Sequence, residues 1–189
     1  MNAHEASAKL DVLVPRIAEV VATWSCCGLE MRERTHADVL ELDRQYDMAN
    51  IDRADWHYGG KYPQGLPPEN GGTHIGIYLA WIINRDLGSD ELQEYAGDRL
   101  QSLRRREISG RDILLSDLDE KFFSSLLSDE ALLFTRDYYE SDRYVQDYAD
   151  LLSGDLESLY HVADSWENYD TVAQRLDERF AEWRRSHAV

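Results

Sequence analysis

Cysteine is nearly absent from the 189 residues: Cys26 and Cys27 are the only two, and they are adjacent. Neighbouring cysteines allow only a strained vicinal disulfide and match no zinc-binding spacing, so a disulfide framework is not expected and reduced thiols are. Long apolar runs are missing as well. Leu10 to Trp24 is interrupted by Asp11, Pro15, Arg16 and Glu19, whereas a signal peptide needs about 7–15 unbroken apolar residues and a membrane helix about 20. The expectation is a cytoplasmic protein with no membrane partner. Basic charge is scarce: 20 Lys and Arg face 37 Asp and Glu, a formal net charge of −17. Phosphate backbones are repelled by such a surface within a Debye length of about 8 Å, so direct nucleic-acid binding is not expected. The chain also lacks a Gly-x-Ser-x-Gly nucleophile elbow, a Gly-x-x-x-x-Gly-Lys phosphate loop and an HExxH zinc motif, which leaves no catalytic residue assigned by motif.

What is present suffices for a folded domain, since 43% hydrophobic and 11% aromatic residues exceed the composition of disordered chains. Apolar residues recur at three- and four-residue steps, and the fold class expected is all-α, about six to eight helices. Leu10, Leu13, Val14, Ile17, Val21 and Trp24 predict a first helix, and Thr35–Tyr46 a second. Residues 1–48 thus read as a helical N-terminal extension packed on the core of a main helical domain, 49–189. A helix over 73–87 carries Ile75, Ile77, Tyr78, Leu79, Trp81, Ile82 and Ile83 in nearly every direction, which predicts the central, wrapped element. Thr73 is expected to cap it and Gly88 to end it. Ser89 opens a helix running to Arg104–Arg106. Further helices are predicted over Ser109–Leu118, Asp129–Tyr139 and Asp142–Leu152, with a last one capped by Asp170 and carrying Val172, Leu176, Phe180 and Trp183. Ser158–Val162 alone reads as a minor strand. Residues 50–72, rich in Gly, Pro and aromatics, predict a long ordered loop.

Within and after that loop, Asp55-Trp56-His57-Tyr58-Gly59-Gly60, Leu66-Pro67, Thr73-His74-Ile75-Gly76, Leu79-Ala80-Trp81, Leu159-Tyr160-His161-Val162 and Trp166-Glu167-Asn168-Tyr169 occur in order. This signature resembles an uncharacterised bacterial family, a domain of unknown function, over about residues 50 to 185. The resemblance implies a shared domain and assigns no catalytic residue.

Two kinds of site can be read from the residues. Between Asp137 and Glu178 there are twelve acids and two arginines, with six of the eleven tyrosines interleaved. A phenol can bury its ring and still satisfy its hydroxyl, which makes tyrosine a common interface anchor. Asp137, Tyr138, Tyr139, Glu140, Asp142, Tyr144, Asp147, Tyr148, Asp150, Asp155 and Glu157 are therefore the expected docking face for a basic protein, a toxin or nuclease domain. The corresponding function is an acidic inhibitor of immunity-protein or antitoxin type, binding rather than catalytic and needing no cofactor or metal. A phage-derived inhibitor of a nucleic-acid-binding defence complex would use the same electrostatics. The alternative is a small enzyme or ligand- or metal-binding domain built on the loop residues Asp55, Trp56, His57, Tyr58 and His74, two histidines and a nearby carboxylate being a workable acid–base or metal set.

Overall fold

The computed structural model describes residues 21–25, 28–32, 49–59 and 62–187. The chain divides into two compact units, Met1–Asp47 and Met48–Val189. In the first, β1 (Val21–Ser25) pairs antiparallel with β2 (Gly28–Arg32), Val21 facing Arg32 and Ser25 facing Gly28. This corrects the end of the helix expected from Leu10 to Trp24. Val21, Thr23 and Trp24 favour a pleated strand, and a partner strand two residues further on takes the ladder bonds. The rest of that helix, the one predicted over Thr35–Tyr46, and Cys26 and Cys27 lie outside the described residues.

The second unit is mainly helical. β3 (Asn50–Arg53) leads directly into α1 (Ala54–Tyr58), and Pro68–Gly72 forms a 3-10 turn ahead of α2 (Thr73–Asn84). Then come α3 (Asp90–Ala96), α4 (Arg99–Arg104), α5 (Gly110–Ser116), β4 (Lys121–Phe123), α6 (Asp129–Tyr138), α7 (Arg143–Leu152) and α8 (Trp166–His187). Eight helices among the described residues make the fold all-α in character, with two short antiparallel pairs, β1–β2 and β3–β4. No described helix is long and apolar enough to cross a membrane.

α2 is the wrapped element that its sequence predicts: every residue from Thr73 to Ile83 is buried. Its closest neighbour is α5, and the approach runs over two glycines. A Cβ on Gly110 would stand 2.0 Å from the Gly76 carbonyl oxygen, and one on Gly76 would stand 2.4 Å from the Arg111 nitrogen. Only hydrogen at both positions lets the two backbones meet. α8 closes another side, where Trp81 Nε1 donates to Asp177 Oδ1 at 2.9 Å.

Several boundaries differ from expectation. α2 ends at Asn84, since Leu87 N–H already turns back to the Ile82 carbonyl at 3.0 Å. The helix expected from Ser89 to Arg104–Arg106 is two, broken where Gly97 takes φ 47°. The loop expected over 50–72 contains β3, α1 and the 3-10 turn. The strand expected over Ser158–Val162 is a 3-10 turn, Leu159–His161, held by local bonds from His161 N to Ser158 O at 3.1 Å and between Ser158 Oγ and His161 Nδ1 at 3.0 Å. Asp170 does not cap α8. The helix starts a turn earlier, where Ser165 Oγ accepts from Asn168 N at 3.2 Å, and Asp170 pairs instead with Arg106.

Candidate active site

The sheet, α1 and α2 bring three side chains to one point. In β3 the ladder to β4 slips between Asn50 and Asp52, a bulge of the kind that re-aims a side chain, and Asp52 turns inward while its neighbours stay half-exposed or exposed. Five residues on, α1 supplies His57. His74 comes from the first turn of α2, whose start is fixed by Tyr144 Oη donating to the His74 carbonyl at 2.6 Å. Gly71 lets the 3-10 turn close on α1, because a Cβ there would stand 3.0 Å from the Ala54 carbonyl and 3.3 Å from His57 Cβ.

Asp52 is the hub. Its Oδ1 lies 2.9 Å from His57 Nε2 and accepts the Arg53 N–H at 2.7 Å. Its Oδ2 lies 3.3 Å from His74 Nε2 and accepts the Tyr139 hydroxyl at 2.7 Å. Four donors thus fill the acceptor sites of one carboxylate. Burial alone would push this carboxyl's pKa up, but the hydrogen bonds of His57 and His74 hold it well below the usual range. Asp52 is therefore an anion at neutral pH. Burial pushes the His74 imidazole down despite the pull of Asp52, so the contact between them is a neutral imidazole on a carboxylate. Burial and the Asp52 charge raise Tyr139 well above the usual phenol value, which keeps its proton in place for Asp52.

The two imidazoles meet edge to face, with centroids 4.4 Å apart, and differ in access: the His57 side chain is 23% exposed and that of His74 only 3%. The remaining ring nitrogen of His57, Nδ1, faces Tyr160 Oη at 3.2 Å. Tyr160 lies in the 159–161 turn, its carbonyl accepting from Asn70 Nδ2 at 3.0 Å and its ring packed on Tyr62. Ligand atoms from Asp52, His57 and His74 all lie within 4.8 Å of one another. Such a group can pass protons through an oriented imidazole or ligate a metal ion.

Of the residues read from the loop, His57 and His74 are brought together. Asp55 is not with them: it pairs with Arg53 Nε at 2.9 Å. Tyr58 donates to Glu120 at 2.6 Å, and Trp56 is 56% exposed beside Arg53. Asp52, Tyr139 and Tyr160 complete the cluster. Tyr139 belongs to the expected acidic docking face, and Tyr160 to the family signature and to the six tyrosines interleaved with the acids.

The docking face itself needs correction. Tyr138, Tyr139, Tyr144 and Tyr148 are core residues, and a ring that fills the interior has no surface to offer a partner. Tyr78, Tyr139 and Tyr144 pack with centroids 4.8–5.0 Å apart. Asp147 is buried as well, accepting from Tyr138 Oη at 2.8 Å and Arg179 Nε at 2.7 Å. Asp137, Glu140, Asp142, Asp150, Asp155 and Glu157 are exposed.

Comparison with known families matches the part of this unit that carries the cluster. The model of a family described as Domain of unknown function (DUF7832) matches residues 50–162, a span that begins at β3 and ends just past Tyr160. No curated protein and no solved structure matches. The chain belongs to the DUF7832 family.

Proposed function

We propose that this chain is a small enzyme whose working site is the Asp52–His57–His74 cluster, acting on a small polar substrate that enters beside Tyr160. The observation that carries this is the asymmetry of the two imidazoles on one carboxylate: His74 is sealed in, while His57 reaches the edge with its orientation fixed by Asp52. A half-buried imidazole held at both nitrogens is a group such a site can offer to a substrate. A group of opposed environments around one anion is the pattern by which proteins prepare proton transfer or hydrolysis. Asp52 is the fixed anion, His74 its buried support, and His57 the side that substrate meets.

The inhibitor reading is the weaker one. It keeps its exposed carboxylates, whose charge still favours a basic partner, but the aromatic anchors that would give affinity lie in the core.

The test is turnover of a panel of small esters, amides and phosphoesters by the full chain, with His57→Gln and Asp52→Asn as site variants and the exposed Asp150→Asn as control. Turnover lost in the first two and kept in the third supports the assignment. Turnover of nothing, with no panel member shifting the His57 NMR resonances, contradicts it.

A further inference from the structure

We infer that Asp52, His57 and His74 form a binding site for one divalent first-row transition metal ion of the zinc or ferrous type. Metal binding there rests on the same cluster being the working site, and it adds the cofactor that site would use.

The donor set comes first. Two imidazole nitrogens and one carboxylate oxygen form the three-ligand set found in catalytic zinc sites and in two-histidine, one-carboxylate iron sites, both of which leave coordination positions open. Spacing comes second. Donors about 2.1 Å from an ion at tetrahedral angles stand about 3.4 Å from one another; here His57 Nε2 is 2.9 Å from Asp52 Oδ1, His74 Nε2 is 3.3 Å from Asp52 Oδ2, and ligand atoms of all three residues lie within 4.8 Å of one another. The Nε2 atom of each ring faces the carboxylate, His57 toward Oδ1 and His74 toward Oδ2, so both histidines present the same kind of donor to one group.

The surroundings are the third argument. Metal-ligating histidines generally hand their other ring hydrogen to an acceptor, and ligating carboxylates are themselves hydrogen-bonded. His57 Nδ1 has Tyr160 Oη at 3.2 Å, and Asp52 has Tyr139 and the Arg53 N–H at 2.7 Å each. Tyr160 is thereby the positioning residue for His57: an ion would displace the hydrogen that Nε2 shares with Asp52, and a hydrogen on Nδ1 would then have the phenol oxygen as its acceptor. His74 contacts the cluster through Nε2, and its buried Nδ1 has no partner among the described residues, so the outer-shell support is on the His57 and Asp52 side. Access is one-sided. His57 and Tyr160 are partly exposed while His74 is sealed, so a substrate oxygen would reach the cluster from the His57 side.

The experiment is titration of the full chain, first stripped with a chelator, with Co(II) and then Zn(II). Stoichiometry is read by mass spectrometry of metal content and affinity by competition with a chromophoric chelator. One equivalent is expected, with cobalt absorption bands in the visible. Outer-shell losses typically weaken metal affinity about 10–100-fold; that range is expected for Tyr160→Phe, and a larger loss for His57→Gln. Tyr62→Phe, which removes a neighbouring hydroxyl bonded to the Pro67 carbonyl, should leave affinity unchanged. Because His57→Gln could disturb α1, histidine 15N spectra of the zinc-loaded wild-type chain provide a second check, with His57 expected as the Nδ1–H form. A folded wild-type chain that takes up neither ion overturns the inference. So does uptake that is unchanged in both His57→Gln and Tyr160→Phe, or zinc on His57 Nδ1. If turnover dependent on His57 persists in the stripped protein, the ion's role as the cofactor of that turnover is refuted while the enzyme site stands.

Discussion

Gly110→Ala tests the scaffold that presents His74. The new Cβ would lie 2.0 Å from the Gly76 carbonyl oxygen, 2.9 Å from the Gly76 carbonyl carbon and 2.9 Å from Ala80 Cβ. Real Cβ contacts begin near 3.0 Å, so α5 and α2 must separate by about 1 Å where both backbones are buried, and the nearest atom struck is main chain, which cannot swing aside. Overpacking of this kind costs about 1–3 kcal/mol, and contact with backbone puts the cost at the upper end. Alanine in place of glycine in a helix returns about 0.5–1 kcal/mol, leaving a net loss of about 2 kcal/mol. For a chain of this size that lowers the thermal midpoint by about 4–8 °C. Urea denaturation and calorimetry would measure it. His74 lies two residues before Gly76 on α2, so the same variant should also shift the His74 NMR signals. An unchanged or raised midpoint would refute the close approach of α2 and α5.

Other substitutions probe separate parts of the core. Trp81 is fully buried against Phe134 and Phe180, and Trp81→Ala should cost about 3–5 kcal/mol in urea denaturation. Tyr139→Phe removes one donor from the buried Asp52 carboxylate and should cost about 1–3 kcal/mol at pH 7. Asp147 links α7 to Arg175 and Arg179 of α8. Burial alone would raise its carboxyl, but hydrogen bonds from Arg179 and Tyr138 and the arginine charges hold it below the usual value. A depressed folded pKa contributes stability above the unfolded value of about 3.9, lost as pH falls through the folded one. Asp147→Asn should therefore cost about 2–4 kcal/mol at pH 7, and its difference from wild type should shrink below about pH 4. A difference that holds constant down to pH 2 would contradict this.

The sequence made the helices legible wherever apolar spacing and caps agreed. Ser89, Ser109 and Ser128 each accept from the third residue on, Ser109 in a full capping box with Asp112. α2 was evident because apolar residues on all its sides have nowhere to go but inside. Periodicity says less about short pieces: five residues at Val21–Ser25 suit a helix face and a strand equally, and only a partner decides. His57 and His74 could be picked out as candidates from the chemistry of a Gly- and aromatic-rich segment. Asp52 was harder to choose over Asp55, since both lie near His57 in sequence and only the β3 bulge turns one of them inward. Tyr139 and Tyr160 reach the site from 87 and 103 residues away, and no local pattern encodes such distances. The tyrosines between Asp137 and Tyr169 misled for a related reason: a phenol with one buried hydrogen-bond partner fits a core as well as an interface.

X-ray absorption at the zinc edge of the zinc-loaded full chain tests the central claim most directly. The site described here predicts two imidazoles and a carboxylate oxygen at about 2.0–2.2 Å. Sulfur scatterers at about 2.3 Å, which would put the ion on Cys26 and Cys27, or a shell without imidazole, would contradict it.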